Sequence, residues 1–385
     1  MLNRNNFTKK NRFIVALFFE IVGSFFISVL KVLSILDKKS RELQSVKKIL
    51  ILRNDGIGDT LLTIPLLQSL KEIYPEAKID VMIKSKAREI LNSNPLVNNI
   101  IITDNGKSFI DIFFTLRKEK YDIIISPRPD NYIFHHFLSF ILNGKRRVGY
   151  AHKGGSFLLT DVVPWNGEKV IVELLLDIGR YLGNFTAVGF PELFISEEDK
   201  KFVEEKISEK GINKYELKVG INPSAGHPFI WPVDNWVKVI EELKRSYNVA
   251  IVFLGDSSSV PFINRIRDNL NFTTYSFAGE TTLSQTTAIV KWLDFIITVD
   301  SAIRHIANMF NKDIVVIRNG ANSNLMWGKY CETENVLFHN VPCSPCGKKY
   351  CPENKRVCMI GIKPEEVLLN VGRVLAKKIN INNDK

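Results

Sequence analysis

The chain has 385 residues, of which 45% are hydrophobic and 24% charged. That composition excludes wholesale disorder and fibrous repeats, and at about 150 residues per domain it leaves room for two or three domains. Five cysteines are too few for a disulfide-stapled secreted scaffold, and the odd number suits a reducing compartment.

The net charge of +11 is unevenly placed: ten Lys or Arg stand against three acids within residues 1–48. A chain basic all over would suggest nucleic acid as partner, whereas this local excess beside an apolar run points to an anionic membrane surface and to no nucleic acid. The apolar run, Phe13 to Leu36, carries only Glu20 and Lys31, and its longest uncharged stretch is the ten residues Ile21 to Leu30. Spanning a bilayer takes about 20. The expectation for residues 1–46 is therefore a membrane-seated helix with cationic flanks. A single span and a helix docked on the protein's own body are the alternatives.

From Lys47 onward, short β-branched runs alternate with helical stretches. KKILILR reads as a first strand, followed by the loop NDGIGD and the amphipathic helix TLLTIPLLQSLKEIYP. The runs IDVMI, NNIIIT and YDIIIS read as further strands. Around Asn184 to Ser196 the pattern lapses, and a charged helix, SEEDKKFVEEKISEK, follows and ends at Gly211. The alternation then restarts with ELKVGIN, NVAIVFLG, TTYSF, DFIITVD and DIVVI, separated by helices such as DNWVKVIEELKRS and SAIRHIANMF. This predicts an α/β chain of two Rossmann-like domains with parallel sheets. The expected organisation is a domain over 47–190, a linker and helix over 191–213, a second domain over 214–340, and a Cys-containing loop with a C-terminal helix over 341–385.

Ligands of such sheets bind beyond the carboxyl ends of the strands, so chemistry is expected in the loops that follow them. In the first loop, Arg53 to Asp59, Gly56 and Gly58 allow a tight turn into a helix N-terminus. No Gly-Lys-Ser/Thr follows, so this is not a Walker loop, and the third glycine of a dinucleotide fingerprint is missing. Asp59 at the helix start is favoured as an ionised carboxylate, fit either for a base or for a plain helix cap. Asn222-Pro223-Ser224-Ala225-Gly226 forms a second loop of small residues, with Trp231-Pro232 opening the next helix. The third, Asp300-Ser301-Ala302-Ile303-Arg304-His305, follows FIITV. Ser301 is placed to cap the helix, while Arg304 and His305 lie in its first turns, either against a diphosphate or as solvated surface. Gly255-Asp256 and Gly279 occupy two more loops after strands. Cys343, Cys346, Cys351 and Cys358 make C-x2-C-x4-C-x6-C, open to structural zinc, buried free thiols or a redox role.

Taken in order, ILILRNDGIGDTLLTIPLLQSLKEIYPEAKIDVM, NPSAG…WP, FAGETTLSQTTAIVKWLDFIITVDSAIRHIA and CSPC…CP…CM resemble glycosyltransferase family 9, the ADP-heptose:lipopolysaccharide heptosyltransferases. The resemblance runs from about Lys47 to Val371. It implies a GT-B fold and an inverting, metal-independent transfer of a sugar from a nucleotide-sugar to a lipid-linked glycan acceptor. It also implies a cytoplasmic location, peripheral or N-terminally anchored at the inner membrane. Asp59 then becomes the general base, with Arg53, Gly56 and Gly58 on the acceptor and phosphate side. Ser224, Ala225, Gly255, Asp256, Gly279, Asp300, Ser301, Ala302 and His305 become donor-binding residues, and no metal or cofactor is implied. The chain departs from the family at three places. Phe229 stands where Lys is usual, Ala302 where Gly is usual, and Asn222 where His is common; Arg304 or Arg318 would have to supply the missing cation. Two other readings stand beside this one: a degenerate transferase that only binds glycan or nucleotide-sugar, and a GT-B-like sugar-nucleotide epimerase.

Overall fold

The computed structural model describes residues 43–383, apart from 93, 107, 129–132, 152–153, 166, 168, 187–192, 225–229, 349 and 352–354. The expected membrane-seated helix lies almost wholly outside the described residues. Among those that are described, no helix is long and apolar enough to cross a membrane.

Two six-stranded parallel sheets carry the fold. The first comprises β1 (Lys48–Leu52), β2 (Lys78–Ile83), β3 (Asn99–Ile102), β4 (Ile123–Ser126), β5 (Arg146–Gly149) and β6 (Asp161–Val162), in the order β3-β2-β1-β4-β5-β6. The second comprises β7 (Leu217–Asn222), β8 (Val249–Phe253), β9 (Tyr275–Ser276), β10 (Phe295–Val299), β11 (Asp313–Arg318) and β12 (Glu334–Phe338). Its order, read from the β9 edge, is β9-β8-β7-β10-β11-β12. The two sheets therefore share one doubly wound plan. Each reverses direction between its first and fourth strands, at β1/β4 and at β7/β10, and that reversal is where such folds bind ligands.

The central strands are apolar along nearly their whole length, as strands covered on both faces must be. Ile49 to Leu52, Ile123 to Ile125, Val249 to Phe253 and Ile314 to Ile317 are all buried. The helices that flank them are α1 (Ile57–Leu62), α2 (Ile64–Ile73), α3 (Phe109–Glu119), α4 (Ile133–Ile141), α5 (Ile171–Leu182), α6 (Glu197–Glu209), α7 (Val233–Ser246), α8 (Val260–Arg267), α9 (Leu283–Trp292), α10 (Ala302–Met309) and α11 (Pro364–Asn383). The charged helix predicted after the pattern lapse is α6. Ser196 caps it by accepting from the Asp199 N–H at 3.1 Å, and Gly211 ends the segment in the left-handed region at φ 64°.

Three strands, β5, β6 and β12, escaped the sequence reading, and each carries charge that the fold pairs internally. In β5, Arg146 bonds Asp161 at 2.7 Å, and the buried Arg147 donates to the carbonyls of Leu158 and Gly144. In β12, the buried Glu334 meets Arg304. Tight contact clusters group the loop and helices of Asn54–Pro75 with Ile83–Asn105 and with the chain from Asn166 onward. The Asp59 turn thus lies in the same compact unit as the second sheet.

Candidate active site

The turn after β1 is built around its glycines. Gly56 caps α1, and Asp59, at the third position of that helix, accepts from the Gly56 N–H at 3.2 Å. Thr60 and Thr63 donate back to the carbonyls of Gly56 and Asp59 at 3.1 and 2.9 Å. Asp59 therefore does cap, from inside the helix, and it stays half-buried. Arg53 at the end of β1 is buried, and its backbone N–H donates to the Met82 carbonyl at 2.8 Å.

Helix α10 packs on α1. The approach is closest at Gly58, where a Cβ would lie 2.5 Å from His305 Cδ2 and 2.9 Å from its Nε2, so any side chain would force one of the two apart. The other edge of His305 is held by Tyr330, whose hydroxyl shares a hydrogen bond with Nδ1 and whose ring stacks on the imidazole at 5.7 Å. Burial, reinforced by the Arg304 cation, pushes His305 down to about 4, so the ring is neutral at pH 7.

The Asp300–His305 segment follows β10 at the switch point of the second sheet. Arg304 and Arg318 are both completely buried. Arg304 bonds Asp300 at 3.0 Å, Glu334 at 2.7 Å and the carbonyl of Trp327 at 3.0 Å. Arg318 bonds Asn324 at 2.7 Å, the carbonyls of Asn322 and Ser323, and Asp300 at 3.4 Å. Burial would raise the Asp300 carboxyl, but Arg304, His305 and Arg318 hold it below the usual range. Two arginines and two carboxylates thus form a closed internal set. Arg304 is thus not the solvated surface of one expectation; its guanidinium is engaged inside this set. Arg318 is likewise engaged by Asp300 and by the Asn322–Asn324 turn.

Ser301 stands at the N-cap of α10 in extended conformation, φ −154° and ψ 176°, and its side chain makes no cap hydrogen bond. Its hydroxyl turns instead to Asn222 at 2.7 Å. Ala302 opens the helix. Gly255 and Gly279 take positive φ, 155° and 71°, and their loops are joined by a bond from Gly279 N–H to the Gly255 carbonyl at 3.0 Å. Asp256 accepts from Ser258 Oγ at 2.6 Å and from the Ser259 N–H at 3.1 Å, which hold its carboxyl low against the upward push of burial. Ser224 is half-buried beside Asn222; Ala225 and Phe229 lie outside the described residues. None of the four cysteines is in a disulfide; Cys358 is buried, Cys346 and Cys351 half-buried and Cys343 exposed, and the Cys351 sulfur accepts from the Arg356 N–H at 3.4 Å. Among the described residues no group of three or more His, Cys, Asp or Glu is arranged to hold a metal ion, so the structural-zinc expectation finds no support. Tyr330, Glu334 and Thr298 were not foreseen. Only Glu334 left a trace in the sequence, as a charge opening an apolar strand.

Residues 110–357 match the model of glycosyltransferase family 9 (heptosyltransferase). The chain belongs to glycosyltransferase family 9. This glycosyltransferase is 28% identical over 286 residues to lipopolysaccharide heptosyltransferase 3 of Escherichia coli, an alignment covering 70% of this chain and 82% of that one. Its fold matches the crystal structure of a family 9 glycosyl transferase from Veillonella parvula, with TM-score 0.78 and 21% identity over 88% of this chain and 100% of that one. It also matches E. coli ADP-heptose LPS heptosyltransferase II, with TM-score 0.69 and 21% identity over 86% and 99% of the two chains. Two doubly wound sheets in one chain are the GT-B plan of these transferases.

Proposed function

We propose that this glycosyltransferase moves heptose or a related sugar from a nucleoside-diphosphate donor, ADP-linked as in the named E. coli relative, to a lipopolysaccharide-core or similar cell-surface acceptor. Transfer is inverting and metal-independent, and takes place at the cytoplasmic face of an anionic membrane. The observation that carries this reading is the packing of the Asp59 turn on the Asp300–His305 helix, which puts a carboxylate beside the switch point of the second sheet. Asp59 takes the proton from the acceptor hydroxyl as that oxygen attacks C1 of the donor sugar. The C1–O bond to the diphosphate breaks on the opposite face, and the electron pair leaves with the diphosphate. Backbone N–H groups at the start of α10 receive the developing charge.

Asp59→Asn tests the assignment. Asparagine caps about as well as aspartate but accepts no proton, and general-base catalysis contributes about 10²–10⁴-fold. Transfer from ADP-heptose to a truncated lipopolysaccharide core is expected to fall by that factor with ADP affinity nearly unchanged. An unaltered rate would overturn Asp59 as base.

A further inference from the structure

Asn222, the last residue of β7, is 1% exposed and sits opposite Thr298 in the β7–β10 ladder. Its side chain has four neighbours. Ser301 Oγ lies at 2.7 Å and Thr298 Oγ1 at 3.0 Å on one side, with the carbonyls of Ser224 at 2.9 Å and Leu254 at 3.1 Å on the other. Two carbonyls can only accept, so the amide nitrogen must face them and the amide oxygen must accept from the two hydroxyls. One buried amide therefore ties together the loops after β7, β8 and β10. It also draws the Ser301 hydroxyl away from the place where an N-cap serine normally sits, on the second or third N–H of its helix.

We infer that Asn222 is the positioning residue of the donor site: it sets the three loops in register and keeps Ser301 from capping α10, so that the helix's first N–H groups are left for the donor's diphosphate. The inference rests on the reading of these loops as the donor site. Without the amide oxygen, the Ser301 hydroxyl keeps only its longer contact to Thr298 Oγ1 at 3.2 Å, and a rotamer change that gives this up makes it an ordinary cap that competes with the ligand. A serine cap is equivalent to about five-fold in an equilibrium constant.

Titration calorimetry with ADP separates the outcomes. Asn222→Ala is expected to weaken ADP about five-fold or more, and Asn222→Ala/Ser301→Ala is expected to recover most of that loss by removing the competing hydroxyl. A purely structural role for Asn222 predicts no recovery, so a double variant as weak as the single one overturns the inference, as does a single variant that binds like wild type. Asn222→Leu, close to asparagine in size, replaces alanine in both variants if the cavity prevents folding. If neither substitution yields a folded protein, Asn222 is structural and the inference fails. Wild-type protein that binds none of ADP, GDP, UDP and dTDP would instead overturn the donor-site reading itself, and this inference with it.

Discussion

The turns after β1 and after β10 each flank the switch point of a doubly wound sheet, β1 as the first strand of its sheet and β10 as the fourth of its own, and each carries an aspartate at the entry to a helix. Their surroundings differ. Asp59 is half-buried and accepts from the backbone of its own turn. Asp300 is set between two fully buried arginines, with Glu334 behind them. Two aspartates beside switch points thus have different surroundings: buried arginines hold Asp300, while the Gly56 N–H of its own turn reaches Asp59. The surroundings follow from what distant strands supply: Arg318 from β11, and Arg304 held by Glu334 of β12, fix Asp300 in place.

The contrast can be broken by experiment. Asp300→Asn leaves Arg318 without its carboxylate in a buried setting, where loss of one partner costs about 3–5 kcal/mol. Urea unfolding should show that loss for Asp300→Asn and almost none for Asp59→Asn. Equal destabilisation by the two would erase the distinction. A smaller effect is expected at the contact that joins the two turns. Gly58→Ala places a methyl 2.5 Å from His305 Cδ2, an overpacking worth about 1–3 kcal/mol. Thermal melts should register it, and transfer should slow because α1 carries Asp59. A fully active, fully stable Gly58→Ala would show that α1 and α10 need not touch.

A third contrast concerns pH. His305 is neutral in the fold down to about 4, whereas in the unfolded chain it takes up a proton near 6.5. Between those values the unfolded state binds the extra proton. Stability from this group is therefore whole above pH 6.5, declines as pH falls toward 4, and levels off below. Unfolding free energies measured from pH 7 to 4 should fall less steeply for His305→Gln than for wild type. Parallel slopes would mean that His305 is not held neutral.

Much of the fold was legible because a strand covered on both faces must be apolar throughout, as ILIL at β1, VAIVF at β8 and FIITV at β10 show. RRVG and ENVLF were not, since their charges are satisfied by Asp161 and Arg304, and nothing local to either segment announces a partner so far away. The same limit applies to the site. The glycines and Asp59 declare a turn into a helix, and Asp300 with Ser301 declares another. That Arg304 points inward and that Ser301 leaves its cap position depends on Glu334 and Asn222, 30 and 79 residues distant. Tyr330, which seats His305, belongs to a loop with no pattern of its own.

The central claim is that a base and a leaving-group site act on opposite faces of one sugar carbon. The anomeric configuration of the product tests it most directly. Proton NMR of the glycan formed from ADP-heptose and a truncated lipopolysaccharide core, with a chelator present throughout, reads the new glycosidic bond against that of the donor. The account predicts opposite configurations and an undiminished yield. Retention of configuration, or a yield that collapses with the chelator, would contradict it.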